Sequence, residues 1–175
     1  VVGELVESFD TGMVFVEITH LFTGIMDNSK TIIEGDFDTE VNVFEFKGGG
    51  LLESIGDSGP AIAIQSDGSG FGSGSGGFGS GSGSGFETAD LAGYWDCTIT
   101  WDNAEDDELI LEFSPDGTEL IDIHFSDGVG ASESEREYVE SRGGTWESIC
   151  SVSSAGTVVG ELVESFDTGM VFVEI

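Results

Sequence analysis

The sequence is short of basic residues. Lys30, Lys47, Arg136 and Arg142 face 35 acidic side chains, and the net charge is −31. Phosphate binding needs a cationic surface, so nucleic acid is excluded as a partner, and anionic membrane is disfavoured for the same reason. No run approaches the roughly 20 apolar residues that span a bilayer, so membrane insertion is not expected. There is no initiating Met and no secretory leader, so the chain reads as a mature product or a fragment. Proline occurs twice and histidine twice. His20 and His124 stand far apart, each among β-prone apolar residues, and read as structural. No Ser-His-Asp order, HExxH or phosphate-binding Gly loop is present. With so many carboxylates, pairs at glycosidase spacing arise by accident, so no dyad is inferred. The chain reads as a non-enzyme.

There are two cysteines, Cys97 and Cys150. Without a CxxC spacing or neighbouring histidines they do not suggest zinc. A structural disulfide is the expectation, and it implies an oxidising, extracellular setting. The alternative is two buried thiols. Self-repulsion at this charge destabilises a compact state unless cations screen it.

What the sequence does contain is a duplication. VVGELVESFDTGMVFVEI occurs at 1–18 and again at 158–175 without a substitution, an offset of 157 residues. A window slightly longer than one period of a tandem array repeats its beginning at its end. A stand-alone chain with duplicated, exchangeable terminal strands is the competing explanation. A period of 157 residues exceeds the roughly 20–50 of solenoid repeats, so each unit is a domain. Residues 66–85 hold ten Gly and seven Ser. They read as a linker with a root-mean-square span of roughly 25 Å. This divides the chain into 1–65, the second part of one repeat unit; 66–85, the linker; and 86–175, the first part of the next unit. Extended GSGSG could also pack as an ordered sheet.

The remaining pattern is β. GYWDCTITW (93–101), LILEF (109–113), ELIDIHF (119–125) and TWESICSVS (145–153) read as strands, the middle two joined at Ser114-Pro115-Asp116-Gly117. ASESEREYVES (131–141) reads as a short helix stopped by Gly143-Gly144. The duplicated stretch splits at Phe9-Asp10-Thr11-Gly12 into two hairpin strands. KTIIEGDF (30–37) and EVNVFEF (40–46) form a further pair, and LLESI (51–55) and PAIAIQS (60–66) complete the set. The fold class is all-β, an antiparallel barrel or sandwich of about eight or nine strands with one short helix.

DNAEDDE (102–108) places Asp102, Glu105, Asp106, Asp107 and Glu108 in one loop, a candidate calcium site, although it lacks the spaced EF-hand pattern. Asp36, Asp38 and Glu40 alternate along a strand and share a face at roughly 7 Å intervals, a second candidate for a cation. Val1, Phe9, Phe15, Phe71, Phe78 and Phe86 are candidates for contacts between units.

Gly93-Tyr94-Trp95 resembles the G-x-W opening of lipocalin-like barrels, which implies a closed up-and-down barrel; apart from that resemblance, Trp95 reads as a core aromatic plugging one end. In organisation the chain resembles tandem-repeat adhesins and surface fibres. That implies a structural module at the cell surface or outside the cell, assembled by tandem linkage, with strand exchange or cation bridging between copies of itself. The alternative is a multivalent ligand-binding module, either lipocalin-like or a calcium-dependent carbohydrate binder.

Overall fold

The computed structural model describes residues 14–66, 85–102, 104–126 and 132–168. Nine strands run β1 (Phe15–Met26), β2 (Ile32–Phe44), β3 (Leu51–Ser66), β4 (Gly93–Ile99), β5 (Asp107–Phe113), β6 (Leu120–Ser126), β7 (Ser132–Ser134), β8 (Thr145–Val152) and β9 (Thr157–Asp167), with a single α-helix among the described residues, α1 (Glu135–Ser141). The fold is all-β, as the alternation predicts. Every neighbouring pair is antiparallel, in the sheet order β7-β6-β5-β4-β3-β2-β1-β9-β8.

Period-2 alternation sets the inner face. Phe22, Ile33, Phe37, Ala61, Ala63, Trp95, Cys97, Ile99, Leu109, Leu111, Phe113, Ile123, Cys150, Val158 and Leu162 form one buried cluster drawn from eight of the nine strands. A flat sheet cannot bring so many strands to one core, so the sheet curls into a half-barrel. Its far edges approach where β8 meets the start of β6. The Cys150 N–H donates to Thr118 O at 2.7 Å, and the Trp146 indole donates to Leu120 O at 2.8 Å. A register shift at Glu112/Phe113 sets Leu120 opposite Phe113 and Ile123 opposite Leu111. That shift turns both leucine and isoleucine inward although their spacing is odd.

Two expected pairs of separate strands are each a single strand. Residues 30–37 and 40–46 do not pair with each other: β2 runs unbroken through Asp38-Thr39. No Gly or Pro interrupts it there, and Phe37, Thr39, Val41 and Val43 keep the inward alternation. Likewise 51–55 and 60–66 belong to one 16-residue strand, β3. Gly59 stays extended and lies against the backbone of 100–101, where a Cβ would stand 2.0 Å from Thr100 O. The expected helix 131–141 begins at Glu135, because 132–134 add β7 to β6. Ser134 caps it by accepting from the Glu137 N–H at 2.9 Å. Glu135 and Glu137 suit the positive end of the helix, and Gly143 ends it with φ +70°. The Ser114–Gly117 turn is as expected: the Gly117 N–H bonds to Ser114 O at 2.8 Å.

Residues on both sides of the Gly/Ser tract share this sheet. They meet along two seams, β3 with β4 and β1 with β9. Residues 67–84 lie outside the described set, as do 1–13 and 169–175, so the equivalence of the two 18-residue copies falls there too. The described parts are complementary: 14–18 of the first copy and 158–168 of the second. They form opposite sides of one ladder, Phe15 facing Asp167 and Ile18 facing Glu164. The Thr168 N–H closes it on Val14 O at 3.0 Å.

The close approach at Gly59 predicts that Gly59→Ala lowers stability by about 1–3 kcal/mol or more. Gly56→Ala, whose Cβ would find its nearest atom at 3.5 Å, should stay within about 0.5 kcal/mol of the parent. Urea unfolding of the two variants checks this; equal midpoints would contradict the packing described.

Candidate functional site

Inside the half-barrel the apolar lining is broken by one polar layer. Along β9 the inward residues are Val158, Gly160, Leu162, Glu164 and Phe166, so the Glu164 carboxylate occupies a position the pattern reserves for an apolar side chain. It is 1% exposed. On β1 the same level holds His20, between Phe22 and Ile18. On β2 it holds Thr39, between Phe37 and Val41. The layer separates the main core from a smaller cluster of Val16, Val139 and Phe166 beneath α1.

His20 links the layer. Its Nδ1 lies 2.9 Å from Thr39 Oγ1 and its Nε2 lies 3.2 Å from Glu164 Oε1. A neutral ring satisfies both contacts by accepting from the Thr39 hydroxyl and donating to the carboxylate. Glu164 Oε2 is buried and has no hydrogen-bond partner. Glu135, in the first turn of α1, belongs to the same field. Burial first, then the neighbouring Glu164 charge, push its pKa up to about 7, with Asp122 and Glu133 adding and His20 opposing. The order hydroxyl, imidazole, carboxylate is that of a nucleophilic triad. The adjoining cavity, lined by His20, Phe22, Phe37, Leu111, Cys150 and Leu162 among others, measures about 20 Å³. That is room for about one water molecule. The layer ties β1, β2 and β9 together through His20.

Cys97 and Cys150 are free, buried thiols on β4 and β8; where the sequence suggested a bond, the structure has two small core side chains. Desolvation pushes Cys97 up to about 12, and with Glu119 adding, Cys150 up to about 11. Asp36, Asp38 and Glu40 do share the exposed face of β2, and Glu40 accepts from Ser54 Oγ at 3.2 Å. Asp102, Glu105 and Asp106 are exposed in the loop before β5, while Asp107 and Glu108 open that strand. Asp107 accepts from the Trp101 indole at 2.8 Å. Among the described residues no three His, Cys, Asp or Glu side chains converge as a metal site would require.

Phe15 is half-buried against Phe44, ring centroids 6.1 Å apart. Phe86 packs on this unit's own core. Val1, Phe9, Phe71 and Phe78 lie outside the described residues. Trp95 is fully buried and donates to Leu91 O at 2.8 Å, and the glycine before it, Gly93, takes φ +98°, which a side chain would resist. A second polar cluster lies on the outer face: Tyr94 OH donates to Glu112 at 3.0 Å, and His124 Nε2 lies 3.1 Å from the same carboxylate.

In sequence both histidines stand alone, and nothing local to either points to Glu164. The available signal was the acid at an inward position of VVGELVESF. Comparison with family models, with curated proteins and with solved structures finds no match.

The polar layer predicts an acid-shifted stability optimum. Glu135 titrates near 7 when folded and near about 4.3 when unfolded. The folded state therefore binds the extra proton between these values, and stability falls as pH rises through them. Asp27 works the other way. Its carboxylate accepts from Ser29 Oγ and from the backbone N–H groups of Ser29, Thr31 and Ile32, which hold it down to about 2. Its stabilisation is present above about pH 4 and is lost as pH falls through about 2. Thermal melts at constant ionic strength should peak near about pH 4–5. Glu135→Gln should flatten the fall toward neutral pH, and an unchanged profile in that variant would refute the assignment. Both thiols should resist alkylation at pH 8 in the folded protein and react fully after denaturation without reductant. Thiols that stay blocked when unfolded would show a disulfide instead.

Proposed function

We propose that the chain is a structural repeat module of an extracellular or cell-surface fibre, built by tandem linkage of copies of itself. The observation that carries this reading is the register of the β1–β9 ladder. Subtracting the 157-residue offset from the β9 partner turns Phe15–Asp167 into Phe15–Asp10, and the Val14–Thr168 closure into Val14–Thr11. That is the register of a local hairpin with Gly12-Met13 as a two-residue loop. Gly in the first loop position suits the type II′ turn that joins twisted strands. In a continuous array, then, β9 would lead straight into the next β1, and a separated pair of strands already adopts the geometry of that connected form. The Gly/Ser tract then serves as spacer between units.

Two further features support the reading. The cavity beside His20 measures only about 20 Å³, room for about one water, which suits a load-bearing bead better than a lipocalin-like ligand carrier. The exterior is acidic, so packing of units depends on salt or on divalent cations such as calcium.

The tests are the parent gene and the behaviour of concentrated protein. The gene should encode units of this period in tandem. Electron microscopy should show filaments at high ionic strength or with calcium, and dispersed particles at low salt. A gene with a single unit, together with monomers under every condition, would overturn the module.

A further inference from the structure

Resting on the module reading, we propose that the β1–β9 seam is a strand-exchange interface between copies of this chain, in which β9 of one copy pairs with β1 of another in the register described here.

The seam is the place where the unit is held without a covalent connection. The halves 14–66 and 85–168 meet at β3–β4 and at β1–β9. Chain order joins the two halves between β3 and β4 only, and across the β1–β9 seam they are held by the ladder alone. An exchanged unit loses nothing: Leu162, Glu164 and Phe166 meet the same β1 side chains whichever copy supplies them, and His20 keeps its carboxylate. The balance between closed and exchanged forms is then set by concentration. Tandem linkage or dense packing at a surface raises the local concentration of neighbouring copies and so favours the exchanged form.

A disulfide trap tests this. Leu21 and Glu161 face each other across the seam, and both are exposed; opposite residues stand about 4.5–5.5 Å apart at Cβ. Full-length Leu21→Cys and full-length Glu161→Cys are mixed at high concentration in a glutathione redox buffer. The control mixture pairs Leu21→Cys with Glu147→Cys, an exposed position on β8 that faces Val163 rather than β1. A 21–161 bond between copies, several-fold more abundant than the control bond, is expected. A yield equal to the control overturns the exchange. The double variant Leu21→Cys/Glu161→Cys in a single chain should close within the chain when dilute and between chains when concentrated; failure to close under either condition means the seam itself is wrong. Filaments that form without the 21–161 bond would sink the exchange and leave the tandem module standing, whereas a tandem gene is not needed for the bond to form.

Discussion

β1 is the strand on which the sheet depends. It is hydrogen-bonded along both edges, to β2 on one side and β9 on the other, and it ties the two halves of the chain into one curled surface. Its partner on the β9 side lies over a hundred residues away in sequence, so the ladder closes a long loop. The entropy of that closure grows only slowly with length. It is offset because closing the ladder buries the inward faces of β8 and β9 against the rest of the core. Without it, Val158, Leu162 and Phe166 would have no opposing layer. A fold with such distant pairing is slow to form compared with one built from local contacts.

The buried polar layer restricts how those edges can meet. Two apolar clusters lie on either side of it, and Glu164 fits only where His20 and Thr39 stand. Sliding β9 by two residues would keep its inner face inward. In the direction that sets Glu164 opposite Val16, it would carry the carboxylate into the apolar cluster beneath α1 and leave His20 without its partner, burying polar groups unpaired. An all-apolar interior would tolerate such a slip more readily. The layer therefore pays for its desolvation in register.

Much of the architecture could be read from residue order. Alternation in ELIDIHF and LILEF, with the Pro-Asp-Gly turn between them, gives β5 and β6 directly, and Gly143-Gly144 marks the end of the helix, while its start at Glu135 rather than 131 depends on the pairing of β7 with β6. The long strands were harder to see. Gly56 and Gly59 look like punctuation, yet here glycine permits close approach inside a strand, and only the position of Thr100 reveals this. Asp38-Thr39 looked like a break between two strands because both residues are polar, although the inward alternation passes through them. The His20–Glu164 contact joins residues 144 apart in sequence, and nothing local to either announces the other. An acid at an inward position was the visible half of that signal.

All four basic side chains are occupied within the unit. Lys30 holds Asp90 at 2.8 Å, and Arg136 holds Glu140 at 2.7 Å. Lys47 lies over the Phe15 ring, and Arg142 lies over Tyr138 while donating to Thr168 O. Four cations against 35 acids leave far too little positive charge to bridge to the carboxylates of a neighbour. Neutralisation between units falls to mobile counterions instead. A dense array of this chain would therefore behave as a polyelectrolyte gel, drawing in water by Donnan osmotic pressure and stiffening or collapsing with the salt around it.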